Sequence, residues 1–108
     1  MGRYLIELTV SSQATAGMLQ NPQDRSEVLG PVFEAAGCRL EHFYASLTEN
    51  KTYLLVESLD LDSIYPLWQK FVATGAASSI KVTPVVEIAE VVDLMKKAAI
   101  LTYRPPGN

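Results

Sequence analysis

Between Arg3 and Val10 apolar and polar positions alternate, with Tyr4, Ile6, Leu8 and Val10 on one face and Leu5, Glu7 and Thr9 on the other. This period of two predicts a half-buried first strand. Ser11 to Gln20 is small and polar apart from Met18 and Leu19, a pattern for a short helix or an excursion. At Asn21-Pro22 a helix is expected to begin, because Asn caps, Pro suits the first helical position and Asp24 lies near the positive end. Its inward side would be Val28, Val32, Phe33 and Ala36, and Gly37 would end it in the left-handed conformation. Gly30-Pro31 predicts a kink or break, since Pro31 has no N–H to donate four residues back.

Cys38 to Leu47 and Thr52 to Leu59 are rich in aromatic and branched residues, and Thr48-Glu49-Asn50-Lys51 between them has the size of a hairpin turn. These are the second and third strands. After Asp60 or Asp62 as cap, Ile64, Leu67, Trp68, Phe71 and Val72 repeat at helical spacing, so this stripe, Trp68 included, is read as core. Gly75 closes that helix, Ile80 to Glu87 make a fourth strand, and Ala89 to about Ala99 make a last helix. Glu90 and Asp93 come early in it and Lys96 and Lys97 late, which suits the helix dipole. The tail from Tyr103 to Asn108 contains Pro105 and Pro106 and is expected to lie extended over a surface.

The order of elements is that of an α+β, ferredoxin-like βαββαβ domain with an extra C-terminal helix, built on a four-stranded antiparallel sheet with helices on one side. The 108 residues make one such domain, residues 1–108. If Leu47 lies opposite Thr52, then Phe43, Ala45, Leu47, Thr52, Leu54 and Val56 share the face under the helices. The open face then carries Leu40, His42, Tyr44, Tyr53, Leu55 and Glu57, joined by Leu5 and Glu7. Such a mixture of aromatic, aliphatic and charged side chains does not suit a solvated surface. A second copy of the chain, packed sheet against sheet, is the economical cover, and a cavity between the sheets could hold a small, partly apolar molecule.

Composition narrows the partners. Nine Lys and Arg against twelve Asp and Glu give a net charge of −3, with no field to attract nucleic acid. No segment is apolar enough to span a bilayer, and the first ten residues do not follow a signal-peptide pattern, so neither membrane nor export is expected. The single Cys38 can form no internal disulfide, which suits the cytoplasm. P-loop, GxGxxG, HExxH, GxSxG and paired CxxC motifs are absent from the sequence, and no cofactor is implied.

MGRYLIEL at the start, Ala16-Gly17-Met18-Leu19, Asp24-Arg25, Gly37 to Tyr44, Lys81-Val82-Thr83-Pro84 and Tyr103-Arg104-Pro105-Pro106-Gly107 are similar to the GYD-domain family of small uncharacterised proteins. The family's naming motif in the hairpin is replaced here by Thr48, Glu49, Asn50 and Lys51. The resemblance implies a dimeric α+β barrel, a group that includes muconolactone isomerases, haem-degrading monooxygenases and ligand-sensing domains. It carries over no catalytic residues.

His42 is the only histidine and the best candidate for a general base. In the expected register Glu57 stands opposite His42 and could orient its ring, so His42 and Glu57 form the candidate acid/base pair of an isomerase- or monooxygenase-like enzyme. Glu7, Tyr44 and Tyr53 are candidate ligand-binding residues, the tyrosines by stacking and hydrogen bonding. One histidine and two carboxylates are a generic set, and no metal is assigned to them. The plain alternative is a binding or assembly module in which these residues pack an interface. Cys38, with no charged neighbour in view, is read as a small apolar residue.

Overall fold

The alternating N-terminal segment forms β1 (Gly2–Val10), one of two central strands in a computed structural model that describes residues 1–107. In chain order there follow α1 (Ser12–Gln20), α2 (Ser26–Ala35), β2 (Cys38–Ala45), β3 (Lys51–Ser58), α3 (Tyr65–Ala73), β4 (Ala77–Val85) and α4 (Ile88–Ala99). All strand pairings are antiparallel and the order across the sheet is β2-β3-β1-β4, the expected ferredoxin-like α+β arrangement.

The core lies between one face of the sheet and helices α2 and α3. Ile6 and Leu8 of β1 and Leu54 and Val56 of β3 are buried beneath Phe33, Ile64 and Leu67. Phe33 is fully buried, and its ring centroid lies 6.0 Å from that of Phe71, so this pair joins the two helices over the sheet. Cys38 is buried at the sheet end with its Sγ 3.4 Å from Ser58 Oγ, and Ser58 in turn donates to the Asp60 carbonyl at 2.9 Å. The thiol thus serves as a small core residue. Ser11 caps α1 by accepting the Ala14 N–H at 3.0 Å, and its hydroxyl donates to the Gly75 carbonyl, tying α1 to the turn after α3. Gly37 after α2 sits at φ +80°, the left-handed conformation expected there, and Gly75 closes α3 at φ +76°.

Five local expectations are corrected. α2 begins at Ser26 rather than Pro22, because Asp24 accepts both the backbone N–H and the hydroxyl of Ser26 and turns the chain just before the helix. The later start leaves Pro31 in the second turn, and the helix runs through it where a break was expected. β4 begins at Ala77 and ends at Val85, earlier at both ends than read from its apolar residues. Trp68 is not core: it is 38% exposed, whereas Ile64 and Leu67 are 3% and 4% exposed. α3 buries the row through Ile64 and Leu67 and leaves Trp68 and Val72 on its flank. The tail is also exposed, Tyr103 by 78%, rather than laid on a surface; Asn108 lies outside the described residues.

Phe33→Ala is expected to lower stability by about 3–5 kcal/mol, read from the denaturant midpoint, because it removes a fully buried ring and leaves a cavity in its place. The two bonds from Ser26 hold the Asp24 carboxyl below its ordinary pKa. A depressed folded-state value means the contribution is full above the unfolded pKa and is lost as pH falls through the folded one. NMR titration should place the Asp24 midpoint below that of the same residue in a short peptide, and Ser26→Ala should return it towards the peptide value.

Candidate functional site

The open face of the sheet is organised by one irregularity in β2. Leu40 pairs with Val56 and His42 with Leu55, so Glu41 is an extra residue with no partner of its own. Such a bulge lets two consecutive residues leave the same side of a strand. Leu40 consequently packs against the core, and the next two residues, Glu41 and His42, both line a pocket on the open side. Phe43 then returns to the core side.

This corrects the expected register. From His42 to Ala45 the pairing is shifted by two residues, a slip that preserves the faces, and before the bulge it is shifted again, which moves Leu40 from the open face to the core. Glu57 therefore stands opposite Arg39 and Arg3, and the residue opposite His42 is Leu55. The His42–Glu57 cross-strand pair expected from the sequence is not formed.

Cross-strand pairing arranges the open face in rows. At one end lie Arg39, Glu57, Arg3 and Val85; next come His42, Leu55, Leu5 and Thr83; then Tyr44, Tyr53, Glu7 and Lys81. The middle of the face is aliphatic, and its ends are polar.

Arg3 is the hub of the first row. Its Nε donates to Glu41 Oε1 at 3.0 Å and its Nη1 to Glu87 Oε1 at 3.1 Å. The Glu41 side chain is only 12% exposed, and Arg39 lies 3.8 Å from its other oxygen. The hydrogen bond and charge of Glu41, with smaller help from Glu87 and Glu57, push the Arg3 guanidinium above its ordinary pKa. Together Arg3, Glu41, His42, Leu55, Val85 and Glu87 border a pocket of about 290 Å³.

The remaining predicted residues spread along the face. His42 is exposed and its ring stacks on Tyr44, with centroids 5.8 Å apart and planes 10° from parallel. The Tyr44 hydroxyl is 3.5 Å from His42 Nδ1, and Tyr44 itself is 62% exposed. Half-buried Tyr53 stands opposite Tyr44 on one side and Glu7 on the other, and Glu7 lies 3.9 Å from Lys81 Nζ. The structure thus brings His42 to Tyr44 and pairs Glu7 with Tyr53. Among the described residues no three His, Cys, Asp or Glu side chains converge as a metal site.

Sequence reasoning missed Arg3, Glu41 and Glu87. A signal for Glu41 was present: Leu40-Glu41-His42-Phe43 runs apolar, polar, polar, apolar, which breaks the period of two where a bulge would. The larger cavity, about 570 Å³, is on the opposite side of the sheet, between α3 and β4, where Trp68 faces Ile80 and Val82. No helix among the described residues is long and apolar enough to cross a membrane.

Comparison with known proteins gives one family. A family model described as a domain of unknown function, DUF3303, matches residues 3–99, from the first strand to the end of the last helix. That match carries no support for the GYD-domain resemblance specifically. No curated protein matches the chain.

Because Glu41 rather than Glu57 holds Arg3 Nε, Glu41→Gln should move the Arg3 Nε–H resonance strongly and Glu57→Gln should leave it nearly in place. Equal shifts in the two variants would contradict the bulged register.

Proposed function

Since the chain belongs to the DUF3303 family, a family described by no activity, we propose its function from the geometry: a homodimer that binds a small, partly apolar molecule between two sheets. The carrying observation is the open face itself. Leu5 and Leu55 form an aliphatic centre with no layer of the described residues above it, and a pocket with ionic walls opens at its edge. Packing the open faces of two copies would cover that centre through a self-complementary contact, as in the dimeric α+β barrels that the GYD-domain resemblance suggested. The apolar part of the ligand would rest on Leu5 and Leu55. Its polar part would meet His42 and Tyr44, with Glu7 and Tyr53 at the far row.

A second reading, proton transfer in an isomerase- or monooxygenase-like reaction, is favoured by one observation. His42 shares its pocket with a largely covered carboxylate, Glu41. In that reading His42 is the base, and Glu41 takes the neighbouring place first assigned to Glu57.

Light scattering should give the two-chain mass for the native protein and the one-chain mass for Leu55→Lys, which sets a charge in the centre of the contact. A one-chain mass for the native protein at high concentration would overturn the dimer. Native mass spectrometry should find a co-purifying small molecule that is reduced in His42→Ala while the two-chain mass persists. Turnover of that molecule, lost in His42→Ala and Glu41→Gln, would select the enzyme reading.

A further inference from the structure

α4 has the sequence of a packed helix and the surroundings of an unpacked one. Ile88, Val91, Val92, Met95 and Ala99 recur at helical spacing on one side, and Glu90, Asp93 and Lys97 occupy the other. No residue of α4 is buried, with Ile88 77%, Met95 56% and Val92 41% exposed. A helix so clearly two-sided gains little from solvent on its apolar face, since tertiary packing supplies most helical stability in proteins.

Its direction is set at its first turn. Glu87 and Glu90 form a reciprocal capping box, and Glu87 is also bonded to Arg3 on the open side of the sheet. From this anchor α4 stands off the body, and the chain measures 61 Å along its longest axis against 30 and 24 Å along the others. The same chain leaves an apolar groove unfilled on the helix side of the sheet, bordered by Leu61, Ile64, Tyr65, Trp68, Ile80 and Val82. Stripe and groove therefore belong together chemically but do not meet within one chain.

We infer that the α3–β4 groove receives α4 of a second copy, so that two chains exchange their C-terminal helices. Charge fits this occupant: Asp62 lies at the groove's border, and Lys96 borders the apolar stripe of α4. The contact would occur twice, once in each direction, so the pair closes on itself and leaves neither stripe nor groove free. A helix of 12 residues is about 18 Å long, enough to lie along a groove of about 570 Å³ with several side chains inserted. The inference rests on the two-copy assembly proposed above, to which the exchanged helices add a second contact that needs the sheet-to-sheet one in place.

Trp68 is the chain's one tryptophan and reports on the groove directly. In the native protein its emission should shift to the red as dilution separates the chains. Met95→Asp, at an exposed position of the single chain, should move that transition to about tenfold higher concentration or more. No dilution dependence, or an unmoved transition in Met95→Asp, would overturn the inference. Oxidative cross-linking gives the second measurement. Val82→Cys and Met95→Cys placed on separately tagged chains should form a covalent mixed pair. Both substitutions on one chain closing within that chain would show α4 folded on its own groove and would overturn the exchange. A two-chain mass without any cross-link would sink the exchange and leave the sheet-to-sheet dimer standing, whereas a one-chain mass throughout would remove both.

Discussion

One extra residue in an edge strand, Glu41, governs the open side of this domain. A strand that kept its period of two would place Leu40 and Phe43 on opposite faces, and the core would lose one of them. The bulge lets both pack inward and turns two consecutive polar residues outward. Glu41 then lies under Arg3, and Arg3 reaches Glu87, the residue that caps α4. A local defect in hydrogen-bond pairing is thereby linked, through two ionic contacts, to the start of the C-terminal helix.

The larger features of the fold were readable because they follow from chain periodicity. Alternation gave β1 both of its faces, the polar run between two apolar segments marked the hairpin, and early acids with late lysines marked α4. Each rests on interactions within a few residues. The division of the sheet into a covered and an open face followed for most residues, since a register error of two residues leaves side-chain facing unchanged. The exceptions are Leu40, which the bulge turns to the core, and Leu47, expected under the helices, which lies beyond the end of β2 and is fully exposed.

What could not be read depends on events between segments. The offset of β2 against β3 is decided by the bulge, so Glu57 was placed against His42 when Arg39 and Arg3 are its neighbours. Position alone makes Asp24 a favourable charge inside a helix, but its short side chain captures Ser26 and delays the helix start. Trp68 has the spacing of a core residue, and only the placement of α3 relative to β4 determines that it borders a groove. His42, Tyr44, Tyr53 and Glu7 share one face, as the alternation predicts, whereas Arg3 and Glu87 lie 84 positions apart in the chain and share no sequence signal.

The two margins of the sheet are poor templates for extension by a further strand. β2 is interrupted by its unpaired residue, and β4, on the other margin, contains Pro84, which has no N–H to offer. Growth of a continuous sheet from molecule to molecule is discouraged at both margins. Strand addition is thus the contact this sheet is least suited to make, and the surfaces left for any contact with another molecule are its two broad faces and its projecting helix.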